Sequence, residues 1–405
     1  MDVNKPLPLL GMLTPAQFMQ RHWQKKPLLV RGAVPAMQPL LTRAELFKLA
    51  SQDQVESRLI VRDQTSWRMS QGPFKRSRLP PLNQPGWTLL VQGVDGHHQG
   101  VHGLLQQFRF VPDARLDDLM ISFASDGGGV GPHFDSYDVF LIQASGRRRW
   151  KISKQKDLTL QPDVPLKILQ NFEAEEEFVL EAGDMLYLPP LYAHEGIAET
   201  AGNLPGQVAD CMTYSIGFRA PAEKELAAEL LHRLAEFVED DTETLAADSQ
   251  RARLGKPTLY RDAAQLATDQ PAALPEALLK FAAQAVKNAL SDPLALACTV
   301  GENLTSLKPS VWFEEADQAW QPGEPGLALS LHRQTRMMYD ANHLFINGES
   351  HRAAGADARL MHLLANQRML SARQLQKASP GALALLADWH EAGWLNTVSS
   401  GEAPK

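Results

Sequence analysis

Ser122–Trp150 reads S-F-A-S-D-G-G-G-V-G-P-H-F-D-S-Y-D-V-F-L-I-Q-A-S-G-R-R-R-W. It holds a glycine-rich approach, a His133-x-Asp135 pair, an apolar strand from Tyr137 to Gln143, and three consecutive arginines. The glycine run lacks a following Lys-Ser/Thr and enters Pro132 rather than a helix, so it is not a phosphate cradle. Its glycines let the backbone turn sharply beside the pair. On an extended segment His133 and Asp135, two residues apart, point to one face. A second histidine, His194, follows a Gly183-Asp184 turn, the strand Met185–Leu188 and Pro189-Pro190. Two imidazoles and a carboxylate on one face of an octahedral metal leave positions open, the ligand set of non-haem Fe(II) oxygenases. A catalytic zinc accepts the same ligand types.

Alternation assigns the flanking strands. In Leu116–Ala124, Asp118, Met120, Ser122 and Ala124 share one face, and Leu119, Ile121 and Phe123 the other. The mixed face is the one able to line a pocket. After the pair, Arg148 shares its face with the apolar Trp150 and Ile152, whereas Arg147 and Arg149 share theirs with Lys151. Arg148 is therefore the inward arginine, placed to grip a carboxylate bidentately. The plainer reading pairs it with an interior acid, Asp118 or Asp138.

Working outward, Thr14-Pro15 and Leu41–Ser51 read as a helix start and a helix, and Trp87–Phe218 holds about six to eight short strands, which suggests a barrel or sandwich. His97, His98 and His102 read as surface or capping histidines. Pro221–Asp240 carries Leu226, Leu230, Leu234 and Phe237 on one helical stripe, Asp241–Gln270 is polar and less regular, and Pro275–Leu290 is a second apolar helix. Helices this apolar need a partner surface, so a helical dimer interface is expected. Beyond Pro309, alternating leucines at 327, 329 and 331, the Asn347-Gly348 turn and two helical stretches suggest a small winged-helix-like unit. The net charge of −7 argues against coating nucleic acid. The two cysteines exclude a disulfide framework, and no apolar run reaches the length of a membrane span. A cytoplasmic location is expected.

Seven segments carry a family resemblance: W-Q-K-K-P-L-L-V-R-G (Trp23–Gly32), D-D-L-M-I-S-F (Asp117–Phe123), Gly127–Phe140, G-R-R-R-W (Gly146–Trp150), G-D-M-L-Y-L-P-P (Gly183–Pro190), A-H-E-G (Ala193–Gly196) and Y-S-I-G-F-R-A-P (Tyr214–Pro221). Together they resemble the bacterial ribosomal oxygenases of the JmjC family, 2-oxoglutarate- and Fe(II)-dependent arginine hydroxylases of a large-subunit ribosomal protein. The resemblance is dense from about Thr14 to Pro221 and looser afterwards. It implies an α+β multidomain chain: a double-stranded β-helix (cupin/JmjC) barrel over 1–220, a helical dimerisation segment over 221–300 and a C-terminal winged-helix-like domain over 301–405. It implies His133, Asp135 and His194 as iron ligands, and Arg148 with Ser122 for 2-oxoglutarate. Tyr137, Asp118 and Met120 would lie where a substrate arginine enters, with 3-hydroxylation at Cβ as the reaction. Thr213 stands where the family pattern has Asn. A homodimer is implied, with no membrane and no direct nucleic-acid contact. The alternatives are a 2-oxoglutarate oxygenase acting on a histidine or nucleic acid, a cupin-type metal enzyme without 2-oxoglutarate, and a non-catalytic scaffold.

Overall fold

Local rules start the chain. Thr14 Oγ1 accepts from the Gln17 amide at 3.1 Å, and Gln17 Oε1 accepts from the Thr14 amide at 3.0 Å. That reciprocal cap, with Pro15 at the first helical position, opens α1 (Pro15–Arg21). Thr42 and Glu45 repeat the device on α2 (Arg43–Leu49). The structure, a computed structural model, describes residues 2–63, 66–199, 210–247, 259–261, 263, 272, 274–291, 293–316, 318–321, 326–352 and 354–399.

The strands are β1 (Leu28–Val30), β2 (Ser57–Arg62), β3 (Trp67–Gln71), β4 (Trp87–Val91), β5 (Leu116–Ala124), β6 (Asp138–Ser145), β7 (Arg147–Ser153), β8 (Glu176–Leu180), β9 (Met185–Leu188), β10 (Ala193–Glu199) and β11 (Cys211–Phe218); α3 (Gln99–Gln106) precedes β5. An eight-stranded antiparallel sheet runs β1-β9-β6-β11-β5-β4-β2-β3 and faces a three-stranded sheet, β10-β7-β8. This is the double-stranded barrel that the family resemblance implies; the strand pattern alone left barrel and sandwich open.

Period-2 alternation divides the large sheet into two environments. Leu119, Ile121, Phe123, Phe140, Ile142, Tyr187, Tyr214 and Ile216 point outward into the main core, against Phe18, Leu46, Phe47 and Leu104 of the three helices. Val139, Leu141, Leu186 and Leu188 point the other way, into the barrel, where they meet Trp150, Ile152 and Leu180. The barrel interior is therefore apolar at one level and free to be polar at the next.

The glycine-rich segment does more than turn. It runs beside β10: Ala198 N donates to Gly128 O at 2.9 Å, and His133 and His194 exchange backbone bonds at 2.9 and 2.7 Å. A Cβ on Gly129 would lie 2.5 Å from Gly196 O, and one on Gly128 2.4 Å from Trp87 O. Close approach to two neighbouring strands, rather than turning alone, requires glycine there.

Beyond the barrel come α4 (Glu223–Ala247), α5 (Glu276–Leu290) and α6 (Pro293–Thr305). The pattern reading missed α6, which packs on α4. Of the α4 stripe Leu234 is buried and Leu226 and Leu230 are half-buried, while the Phe237 side chain and most of Asp241–Gln270 lie outside the described residues. No residue of α5 is buried; Leu279, Val286 and Leu290 stand exposed. The last unit has its own core around Leu329, Leu344, Leu364, Leu386 and Trp389. Its hairpin turns at Asn347 and Gly348, both at positive φ, as that dipeptide predicts.

Arginines seal this unit to the barrel. Arg109 donates to the carbonyls of Ala365 and Asn366 at 2.9 Å, and Arg336 to Leu116 O at 3.0 Å. His102, expected at the surface, is buried in this seam, because α3 is covered by the C-terminal unit. His98 does cap α3, accepting from the Val101 amide at 3.3 Å. No helix among the described residues is long and apolar enough to cross a membrane.

Candidate metal centre

His133 lies just beyond the glycine segment, Asp135 two residues on, and His194 is the second residue of β10. The backbone pairing of His133 with His194 joins the two chain segments. One ligand atom from each of the three residues lies within 4.8 Å of the others. His194 Nε2 is 3.7 Å from Asp135 Oδ2. His133 Nδ1 is 2.9 Å from Gly131 O, and His194 Nδ1 is 2.8 Å from Tyr192 O. A carbonyl can only accept, so each Nδ1 carries a proton, which leaves Nε2 as the nitrogen able to ligate. Burial, with His133 beside it, pushes His194 down to about 4, so the ring is neutral at neutral pH. Two imidazoles oriented from behind and one carboxylate are the donor set a divalent metal takes. Among the described residues no other His/Cys/Asp/Glu group is close enough to do so.

β7 supplies the depth of the pocket. Arg148, Trp150 and Ile152 are buried, while Arg147 is exposed and Arg149 pairs with Glu177 and Glu199. The alternation reading is borne out for all three arginines. β10 pairs with β7 so that His194 lies opposite Ile152, Gly196 opposite Trp150, and Ala198 opposite Arg148. Four residues of strand, about 13 Å, separate the levels of His194 and Arg148. Trp150 fills the level between, 5.8 Å from the His194 ring and 5.8 Å from the Arg148 guanidinium. A Cβ on Gly196 would lie 2.7 Å from that indole, so glycine makes room for it.

Arg148 Nη1 donates to Ser122 Oγ at 3.1 Å. Its Nε and Nη2 are buried with no partner. Asp138 is held by Tyr187, Gln24 and Arg115, and Asp118 by Lys308 and Gln92, so the plainer pairing of Arg148 with either acid is excluded. A buried guanidinium with unpaired nitrogens is costly unless an anion completes it, so the level of Arg148 fits a carboxylate.

Thr213 faces both Ser122 and Gln143 across the sheet, and its Oγ1 donates to Gln143 Oε1 at 2.9 Å. Gln143 was not anticipated, although it continues the inward row Val139, Leu141 and is the polar member of it. The Thr213 hydroxyl is thereby engaged within the barrel.

The mouth holds a partner that the sequence did not mark. Asp118 and Met120 share the inward row with Ser122, and Tyr137 stands at the rim, 38% exposed. The Tyr137 hydroxyl donates to Asp135; burial of that hydroxyl and the adjacent carboxylate hold it above the usual phenol range. The resemblance puts Asp118 where a substrate arginine enters; in the structure Lys308, which nothing in the local sequence pattern marked, donates to Asp118 Oδ2 at 2.6 Å, and Gln92 Nε2 donates to Oδ1 at 2.8 Å.

Comparison with known proteins agrees with this geometry. Residues 103–226 match the model of a JmjC domain, and residues 314–396 that of a ROXA-like winged helix. The ribosomal protein uL16 3-hydroxylase of Escherichia coli is 41% identical over 210 residues, 52% of this chain and 53% of its own length. A probable ribosomal oxygenase of Haemophilus influenzae is 33% identical over 213 residues, 52% of this chain and 50% of its own length. The chain thus spans about half the length of these curated relatives. The solved structure of the E. coli ribosomal oxygenase YcfD in complex with cobalt and 2-oxoglutarate is 31% identical, with a TM-score of 0.75 over 95% of this chain and 98% of that one. A likeness of that identity over nearly all of both chains, centred on a JmjC domain, places this chain in the JmjC-type ribosomal oxygenase family.

Proposed function

We propose that this protein is an Fe(II)- and 2-oxoglutarate-dependent oxygenase that hydroxylates Cβ of an arginine in a large-subunit ribosomal protein. One observation carries the reading: a three-ligand cluster and a buried, part-unpaired Arg148 lie on one wall of one barrel, separated by a tryptophan level. His133, Asp135 and His194 would hold the iron. Arg148, oriented by Ser122, takes the distal carboxylate of 2-oxoglutarate through its two free nitrogens. Bound there, iron and 2-oxoglutarate supply the oxidising power, consuming O2 and releasing succinate and CO2 while one oxygen enters a C–H bond. The chain itself orients the groups: Gly131 and Tyr192 carbonyls fix the imidazole tautomers, Trp150 and the apolar interior keep water from the pocket, and Tyr137 steadies Asp135. Asp118, Met120 and Tyr137 receive the substrate arginine at the mouth.

The relatives support this choice of substrate, since one bears the name uL16 3-hydroxylase. A cupin-type enzyme without 2-oxoglutarate would leave Arg148 without a purpose. The same reading divides the chain into a catalytic barrel (1–220), a helical dimerisation segment (221–300) and a winged-helix-like domain (301–405). The exposed apolar face of α5 supports a homodimer. A ribosomal substrate supports a cytoplasmic site of action. Incubation with Fe(II), 2-oxoglutarate and peptides of the ribosomal protein should add one oxygen atom to an arginine-containing peptide, read by mass spectrometry. Succinate formed equally with and without peptide, and no mass gain, would overturn the assignment of substrate.

A further inference from the structure

We propose that Lys308 is a positioning residue for substrate, which fixes the Asp118 carboxylate at the pocket mouth through a direct ion pair so that an incoming guanidinium meets an oriented acceptor. The inference rests on the reading above in one respect, that Asp118 receives the substrate arginine.

Five carboxylates, Asp95, Asp117 and Asp118 with Glu56 and Asp113, line one cavity at the seam of barrel and C-terminal unit, together with Gln92, Lys308 and Arg336. The Asp118 side chain is only 7% exposed. Burial, with Asp117 beside it on β5 and Asp95 across the cavity, holds the Asp118 carboxyl above the ordinary carboxylate range, and Lys308 opposes that rise. The cations around it are already engaged elsewhere. Arg219 is 3.1 Å from Asp117, Arg336 donates to the Leu116 carbonyl and faces Asp117, and Arg58 donates to Gln92. Arg109 pairs with Asp113, Arg333 donates to the Gly96 carbonyl, Arg368 donates to the carbonyls of His332 and Thr335, and Tyr137 turns its hydroxyl to Asp135. That leaves Lys308. Its Nζ is 2.6 Å from Asp118 and 3.6 Å from Asp117, and both acids raise its own pKa against the effect of burial.

A carboxylate has about four acceptor sites. Gln92 reaches both oxygens, at 2.8 and 3.1 Å, and Lys308 reaches Oδ2. An acceptor site therefore remains for an incoming donor while Lys308 stays in place. Lys308 lies just after α6, between the helical segment and the winged-helix-like unit. The C-terminal half of the chain thus contributes a charge to the mouth of a barrel built by the N-terminal half.

The test compares the full chain, loaded with Fe(II) and 2-oxoglutarate, in wild-type, Lys308→Met, Lys308→Arg and Asp118→Asn forms on an arginine peptide across pH 5.5–9. Lys308→Met should raise KM about tenfold at pH 7 with kcat within about twofold. It should also move the acid limb of kcat/KM up by about one unit. Lys308→Arg should restore both. In 13C-aspartate-labelled protein without substrate, the Asp118 carboxyl should titrate higher in Lys308→Met than in wild type. Unchanged KM and acid limb would make Lys308 a latch between units, and a lower KM would make it an obstruction; either overturns the proposal. Asp118→Asn with an unchanged KM would instead remove Asp118 from the substrate site, and the NMR titration would still judge what Lys308 does to Asp118. Lys308 is 41% exposed, so folding should survive; Lys308→Gln is the second variant if melting shows otherwise.

Discussion

The metal centre and the mouth of the same barrel are held in opposite ways. At the centre, each histidine is oriented by a carbonyl two residues before it, Gly131 for His133 and Tyr192 for His194, and the two segments are joined by paired backbone bonds. At the mouth, Asp118 is held by Lys308, 190 positions away. The seam beside it is closed by Arg109 bonding carbonyls more than 250 positions distant. Backbone geometry sets the centre; a side chain from the segment that joins the helices to the C-terminal unit sets the mouth. Damage at the centre should therefore be severe and local, whereas damage at the mouth should be graded and sensitive to pH.

The largest expected effect comes from the ligands. His194→Ala or Asp135→Ala should weaken Co(II) binding by more than about 100-fold, since loss of outer partners alone costs up to that much. Melting temperature should change little, and spectroscopic titration with Co(II) checks it. Next is Gly129→Ala. Its new Cβ meets a backbone carbonyl that cannot rotate away, so about 2–3 kcal/mol of stability should be lost, along with metal affinity. Urea denaturation with and without Co(II) measures both; an unchanged midpoint would show that the glycine segment does not need its close approach to β10.

The mouth should respond through Asp95. Burial, with Asp118 nearby, pushes it up to about 7 from the ordinary 3.8. The folded state then binds more protons than the unfolded chain between about pH 4 and 7, so this group's contribution to stability falls as pH rises through that window. Asp95 is only half-buried by its surface, so the effect should be about 1–2 kcal/mol rather than the full shift. Asp95→Asn should match wild type near pH 4 and exceed it by that amount above pH 7. The smallest effect is Thr213→Val, which strands Gln143 Oε1 inside the barrel and should cost about 1 kcal/mol.

The same contrast explains what the sequence reading reached. The rows Asp118-Met120-Ser122 and Arg148-Trp150-Ile152, the His-x-Asp pair and the Thr14 and Thr42 caps follow from spacing of two or three residues, and strand and helix geometry convert such spacing directly into direction. Gln143 was within reach as the polar member of an inward row, but its pairing with Thr213 needs the order β5-β11-β6, which local pattern does not encode. Lys308 and the burial of His102 depend on how the C-terminal unit docks, and no short-range signal carries that. The helix α6 begins at Pro293, with only two residues between it and the end of α5 at Leu290, and its weak apolar periodicity hid the break.

The most direct test is a calorimetric titration of 2-oxoglutarate into the Co(II)-loaded full chain, wild type against Arg148→Met. One cobalt ion per chain should bind in both, with equal affinity. 2-Oxoglutarate should bind the wild type, and about 30-fold more weakly without the guanidinium, the expected worth of a buried charge-assisted pair. Equal 2-oxoglutarate affinity in the two proteins would contradict the assignment of Arg148 and, with it, of one pocket shared by metal and co-substrate.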